Sequence, residues 1–280
     1  MKLIIHGGFF SESATNQEMK KAKQEALTVI VELAYIYLTS HTALETVAFA
    51  TSLLEDNILF NAGKGSQIQS DGKVRLSASI MDGKTRKFAG VINIEDVENP
   101  IHVATDLLNY EDSVLSGMGA LAFAREKGYP YYNPITPQRQ EEYELKLNQK
   151  SNIGTVGCVA LDADGNLAAA TSTGGKGFEI PSRVSDSATV AGNFANAAAG
   201  ISCTGVGEDI VSVALAASIV TRVTDGATLK AACDKSFAEL KSIDGFAGVI
   251  GLTAEGETYH TDSHPYMVWA SFDGSLQVFN

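Results

Sequence analysis

GTVGCVALDADGNLAAATSTGG, residues 154–175, is the stretch whose reading decides the fold. Val156, Cys158 and Ala160 alternate at the two-residue period of a strand, turn residues cluster from Asp162 to Asn166, and a second β-compatible run continues to Ser172. The Asp164-Gly165 pair sets the register. A three-residue loop of Ala163, Asp164 and Gly165, with Gly165 left-handed, makes Leu161 face Leu167 and Thr155 face Thr173. Directly opposed side chains have Cβ atoms roughly 4.5 to 5.5 Å apart. Two hydroxyls are therefore expected side by side at the open end of a rigid ladder.

Outward from this hairpin, strands and helices come in separate blocks twice over. Lys2 to Ile5 reads as a buried strand, a helix is expected from Gln17 to Leu38, and Thr42-Ala-Leu-Glu45 has the capping-box pattern ahead of another helix to Asp56. A glycine-bearing loop, NILFNAGKG at 57–65, leads to strands near 74–80 and 88–94, then helices near 101–108 and 112–127. Residues 129–154 hold Pro130, Pro134 and Pro137 and then the polar QRQEEYELKLNQK, which reads as a mobile linker. After the hairpin, short strands are expected at 188–190 and 201–204, helices at 208–223 and 227–240, and further strands at 248–253, 258–261 and around 272–275. The block pattern argues for an α+β fold with helices outside the sheets.

With 280 residues and 45% hydrophobic content the chain can bury a large core, and we expect a single domain over 1–280. No apolar run is long enough to span a bilayer, and MKLIIHGG lacks the apolar core and cleavage site of a secretory signal, so a cytoplasmic location is expected. The net charge of -12 opposes binding to nucleic acid or an anionic membrane. Anionic substrate groups would need local cations. Cys158, Cys203 and Cys233 fall in apolar patterns and read as small buried hydrophobes.

A threonine hydroxyl is a weak nucleophile unless a base adjoins it, and its own α-amino group, with a pKa of about 7.7 to 8.0, can serve once the preceding bond is cut. Gly154 suits such a cut, having no side chain to block attack by Thr155. Thr204-Gly205-Val206-Gly207-Glu208 places a hydroxyl and a flexible turn before a helix, where outward N–H groups favour an anion. Arg183 and Asp186 in PSRVSDS have the charges to clamp an α-carboxylate and an α-ammonium, although such a spacing also suits a surface ion pair.

GTVGCVALDADGNLAAATSTGG, PSRVSDS, SCTGVGE, LFNAGKGS with SASIMDG, and the opening IIHGG together resemble the plant-type asparaginase and isoaspartyl aminopeptidase family of N-terminal nucleophile hydrolases, in collinear order over nearly the whole chain. The resemblance implies an αββα four-layer sandwich and autocatalytic maturation into an α subunit, 1–154, and a β subunit, 155–280, assembled as an (αβ)2 homodimer. It makes Thr155 the nucleophile released at Gly154-Thr155 and Thr173 its hydrogen-bonding partner, with Thr204 and Gly205 as oxyanion donors assisted by Asn61. Arg183 and Asp186 would hold the aspartyl carboxylate and amine, with Gly207 in the same pocket. Main-chain carbonyls of Leu54, Glu55, Asn57, Phe60, Ala62 and Lys64 would form a structural sodium site, and catalysis would need no cofactor. The implied substrates are β-aspartyl dipeptides and L-asparagine.

Ser182 and Ser185 stand where that family usually has glycines, and Lys176-Gly177 and Val206 replace residues that commonly shape the leaving-group side. These departures leave the preferred leaving group open. A glycosylasparaginase-like amidase, a taspase-like endoprotease and an uncleaved scaffold are the alternatives. Other motifs carry less: position twelve counted from Asp162 is Thr173 rather than a calcium-binding glutamate, 63–66 lacks phosphate-loop spacing, and His6, His41, His102, His260 and His264 have no metal-ligand spacing and read as packing or surface residues.

Overall fold

The computed structural model describes residues 1–9, 17–145, 154–264 and 266–280. Its larger sheet runs, in spatial order, β12 (Leu276–Val278), β11 (Met267–Phe272), β1 (Lys2–Phe9), β5 (Val156–Leu161), β6 (Leu167–Thr173), β2 (Leu76–Asp82), β3 (Lys87–Ile94) and β4 (Val114–Ser116). All neighbours are antiparallel except β3 and β4. The smaller sheet is β10 (Thr258–Asp262), β9 (Ala247–Thr253), β8 (Ala199–Gly205) and β7 (Asn193–Ala195).

Strand periodicity sorts the apolar residues into three interfaces. Leu3 and Ile5 of β1, with Val156, Cys158 and Ala160 of β5, share a cluster with α1 (Gln17–Leu38), α2 (Ala43–Glu55), α3 (Pro100–Leu107) and α4 (Gly117–Glu126). Their alternates, Ile4 and Val159, join Ala169, Ala195, Ile250 and Leu252 in a second cluster between the two sheets. Ile201, Cys203 and Val249 turn the other way, against α7 (Leu215–Thr224) and α8 (Leu229–Lys241). A residue's parity on its strand thus decides which layer it meets. No helix among the described residues is long and apolar enough to cross a membrane.

Local signals place most elements well. The Thr42 hydroxyl accepts from Glu45 N while the Glu45 carboxylate accepts from Thr42 N, so α2 starts on a complete capping box. Three expectations change. The 112–127 helix begins with the short strand β4, whose pairing with β3 wins over its helical pattern. The 208–223 helix breaks into α6 (Gly207–Ser212) and α7 at Ala214, which is left-handed at φ 48°. Residues 186–188 form a single 3-10 turn, and the strand expected at 188–190 lies later, at β7. Within the expected mobile linker, 137–145 fold as α5 (Pro137–Leu145), anchored by Arg139 Nε donating to Gly65 O at 2.8 Å and by Tyr143 stacked on Phe178. Residues 146–153 of that linker lie outside the described residues.

Candidate active site

The β5–β6 ladder pairs Val156 with Ser172 and Leu161 with Leu167, the register set by Gly165 at φ 79° in the turn. Thr155 and Thr173 follow at its end. Thr155 shares strand parity with Val159, and Thr173 with Ala169, so both hydroxyls point between the sheets at the rim. Thr155 Oγ1 donates to Thr173 Oγ1 at 3.2 Å, and both residues are buried. Thr173 Oγ1 also accepts from Gly175 N and gives its own proton to Gly154 O, each at 3.2 Å. The Gly154 carbonyl receives a second donor, Asn61 Nδ2, at 2.8 Å, so the carbonyl preceding Thr155 lies between two polarising groups.

The facing layer brings β8. Thr204 shares parity with Gly200 and Ser202, which face the larger sheet, and its hydroxyl is fully buried without a hydrogen-bond partner among the described residues. An orphaned buried hydroxyl costs about 1 to 3 kcal/mol, which a bound acceptor would recover. Next to it, Gly205 lies on the site wall. The helix expected to point its N-terminus here, α6, is only six residues long.

Arg183 and Asp186 do not form the surface ion pair their spacing allows. Arg183 instead donates side-on to Glu208, Nε to Oε1 at 2.8 Å and Nη2 to Oε2 at 2.6 Å, while Nη1 makes no hydrogen bond among the described residues. This fork holds the Glu208 carboxyl down at about 2. Asp186 is 2% exposed, and burial raises its pKa to about 7 against the lowering pull of Arg183. A Cβ on Gly207 would come within 2.8 Å of Arg183 Nη2 and 3.0 Å of Asp186 Oδ1, so only glycine lets the two charges approach this wall. Ser182 takes left-handed backbone, φ 68°, without being glycine, whereas Ser185 is at φ -92° and uses its hydroxyl to cap the 3-10 turn through Ser187 N.

A cavity of about 170 Å³ joins these parts. Gly154, Thr155, Thr173, Gly175, Lys176, Arg183, Ser185, Asp186, Gly205, Val206 and Gly207 line it; Asn61 and Thr204 are not in the lining. A hydroxyl pair, a cation with a free edge and a buried carboxyl therefore converge on one small volume, and the partnerless Thr204 hydroxyl lies behind its wall, next to the lining residue Gly205.

The profile of a protein family described as Asparaginase matches residues 1–278. The chain belongs to the asparaginase family. This asparaginase-family chain is 45% identical over 274 residues to the isoaspartyl peptidase/L-asparaginase of a Nostoc species, covering 91% of this chain and 86% of that protein. It is 42% identical over 292 residues to the Synechocystis protein of the same name, covering 98% and 88%. With the isoaspartyl peptidase of Escherichia coli the identity is 36% over 280 residues, covering 91% and 87%.

The side-chain contacts of three residues around this candidate site escaped the sequence reading. Glu208 looked like the opening of a helix, and nothing in its neighbourhood predicts that it would hold Arg183. His6, taken for packing or surface, is buried between the sheets: Nε2 lies 2.9 Å from Ser202 Oγ, which lies 2.6 Å from Thr171 Oγ1. Burial pushes its pKa down to about 3, and Nδ1 faces the Thr155 backbone without a well-formed hydrogen bond. Its even position in IIHGG, in step with Ile4, was the available signal. Glu55 accepts from Ser172 Oγ at 2.6 Å and Ile101 N at 3.2 Å beneath the hairpin, its pKa raised by burial to about 8.

The 54–65 loop folds several main-chain oxygens towards its own glycines. Phe60 O and Ile58 O crowd Gly65, 1.8 and 3.0 Å from where its Cβ would be, and Glu55 O lies 2.5 Å from the same point on Gly63. Carbonyls of Asn57 and Ala62 each accept one backbone hydrogen bond, leaving each a second lone pair, whereas Leu54 O accepts from both Asp56 N and Asn57 N. Neutral oxygens closing on a tight turn fit a hard cation. Lys64 turns its side chain away, to Glu98 at 3.2 Å and Asp56 at 3.8 Å.

Proposed function

We propose that this enzyme is an autoprocessing threonine hydrolase that cleaves β-aspartyl dipeptides and L-asparagine to release L-aspartate. The observation that carries the reading is the 3.2 Å contact between Thr155 Oγ1 and Thr173 Oγ1 beside a carbonyl already held by two donors. Thr155 Oγ1 attacks the Gly154 carbonyl, the chain shifts from nitrogen to oxygen, and water hydrolyses the resulting ester, leaving Thr155 as a free N-terminus. The relatives' names support the substrate class.

In the mature enzyme the Thr155 α-amine takes the hydroxyl proton as Oγ1 attacks the β-carbonyl of the substrate. Thr204 Oγ1 and the Gly205 N–H, with Asn61 assisting, receive the oxyanion, and Thr173 keeps Thr155 aligned. The amine carries its proton to the departing nitrogen, and water then releases aspartate from the acyl-enzyme. The free Nη1 edge of Arg183 accepts the α-carboxylate, and Asp186 accepts the α-ammonium beside Gly207. Both implied substrates share these two groups and differ only in what leaves.

The same reading makes the layered core an αββα sandwich of the N-terminal nucleophile type, the processed protomers an (αβ)2 homodimer, and the location cytoplasmic. Carbonyls of Leu54, Glu55, Asn57, Phe60, Ala62 and Lys64 would hold a structural sodium ion that stiffens the loop carrying Asn61. A denaturing gel tests the proposal: processing after residue 154 divides the 29.6 kDa chain into fragments of about 16 and 13 kDa. A single band that still turns over L-asparagine would refute it.

A further inference from the structure

One cation in the cavity is left unused by the aspartyl clamp. Lys176 lines the cavity with Thr155 and Thr173, and its backbone starts on the nucleophile side, where the preceding Gly175 N donates to Thr173 Oγ1 at 3.2 Å and its own N–H donates to Glu179 Oε1 at 3.2 Å. The tip reaches the other side. Nζ stands 3.7 Å from Glu208 Oε1, the oxygen that already accepts Arg183 Nε at 2.8 Å.

These distances rank the partners. Glu208 is committed to Arg183 by two short charge-assisted bonds, while Lys176, 40% exposed, has among the described residues only a long contact with the same carboxylate. One carboxylate is shared by two cations, so Lys176 keeps most of its charge for a ligand. Its four-carbon stem therefore runs from the residue beside the hydroxyl pair towards Glu208, along the same cavity that Thr155 and Thr173 line.

We propose that Lys176 receives the free α-carboxylate of the leaving residue, so that the enzyme selects β-aspartyl dipeptides with an unblocked C-terminus. The inference rests on the β-aspartyl reading of the site. Arg183 takes the first carboxylate of such a substrate and Lys176 the second; L-asparagine, whose leaving group is ammonia, offers Lys176 nothing.

The test compares β-Asp-Leu with its C-terminal amide within each preparation, so that the ratio does not depend on the fraction of working sites, and measures L-asparagine as a third substrate. Wild-type enzyme is expected to favour the free acid about fivefold in kcat/KM, the effect of a partly exposed ion pair. That preference should shrink in about 0.5 M salt as screening grows. Lys176→Met should bring the acid-to-amide ratio close to one, Lys176→Glu should invert it, and Lys176→Arg should keep it. A wild-type ratio near one, or a ratio that survives in Lys176→Met, overturns the inference while leaving the site reading standing. Wild-type protein that turns over none of the three compounds overturns both.

Discussion

The β5–β6 hairpin and the 174–188 segment that follows it supply the two halves of the candidate site by opposite means. Thr155 and Thr173 are eighteen positions apart and meet because a three-residue turn and an antiparallel ladder set them opposite each other. Arg183 and Asp186 are three apart, yet neither owes its environment to the other: Arg183 is held by Glu208, twenty-five residues on, and Asp186 by burial against Gly192 and Gly207. Ladder geometry is a local property with few solutions. A clamp in irregular chain is set by whatever packs on it.

The hairpin half should fail completely when touched. Thr155→Ala is expected to leave an uncleaved chain with activity down about 10⁴-fold or more, and inserting one residue into the 163–165 loop should do nearly as much by turning Thr173 to the helix side. Turnover by the insertion variant at more than a tenth of the wild-type rate would show that ladder register does not place the hydroxyls.

The clamp half should lose binding first. Asp186→Asn is expected to lower kcat/KM for L-asparagine about 100-fold by leaving the α-ammonium without its charge partner. Asp186 must be ionised to hold that group, and its raised value near 7 puts the change in reach. KM in the wild type should therefore fall as pH rises from 6 to 8, and this dependence should vanish in the variant. A KM that is flat with pH in the wild type would remove Asp186 from the ammonium site.

Glu208→Gln sharpens the comparison further. Losing a charge-assisted fork frees the guanidinium to swing, so KM should rise about tenfold with kcat changed by no more than about threefold, and Glu208→Asp should recover part of the loss. Equal losses in kcat and KM would instead mean that Glu208 supports the reacting centre.

The smallest effect concerns backbone strain. Ser182 holds φ 68°, where a side chain costs about 1 to 2 kcal/mol, so Ser182→Gly should raise the melting temperature by about 2 to 4 °C without weakening substrate binding. A melting temperature that falls would show that Ser182's contacts outweigh the strain.

Legibility followed the same division. Period-two alternation and the Asp164-Gly165 turn were enough to pair Thr155 with Thr173, and the Thr42 capping box located the start of α2. The Ala214 break and the late position of β7 were missed because a continuous apolar pattern does not mark a single left-handed residue, and a three-residue strand is fixed by its pairing with β8 rather than by its own pattern. For His6 the reading left packing and surface open, because a lone histidine beside a strand looks the same whether it faces water or a second sheet; its burial against Ser202 decides for packing.

By itself the sequence determined the hairpin, its register and the pair of hydroxyls at its end, since these depend on neighbours within one turn and on a period that sequence displays directly. Tertiary structure alone decided that Glu208 steadies Arg183, that Asp186 is buried enough to titrate near 7, and that Thr204 brings an unpartnered hydroxyl across from another sheet. Those outcomes depend on desolvation and on contacts between layers, quantities that exist only once separate segments exclude water from one another.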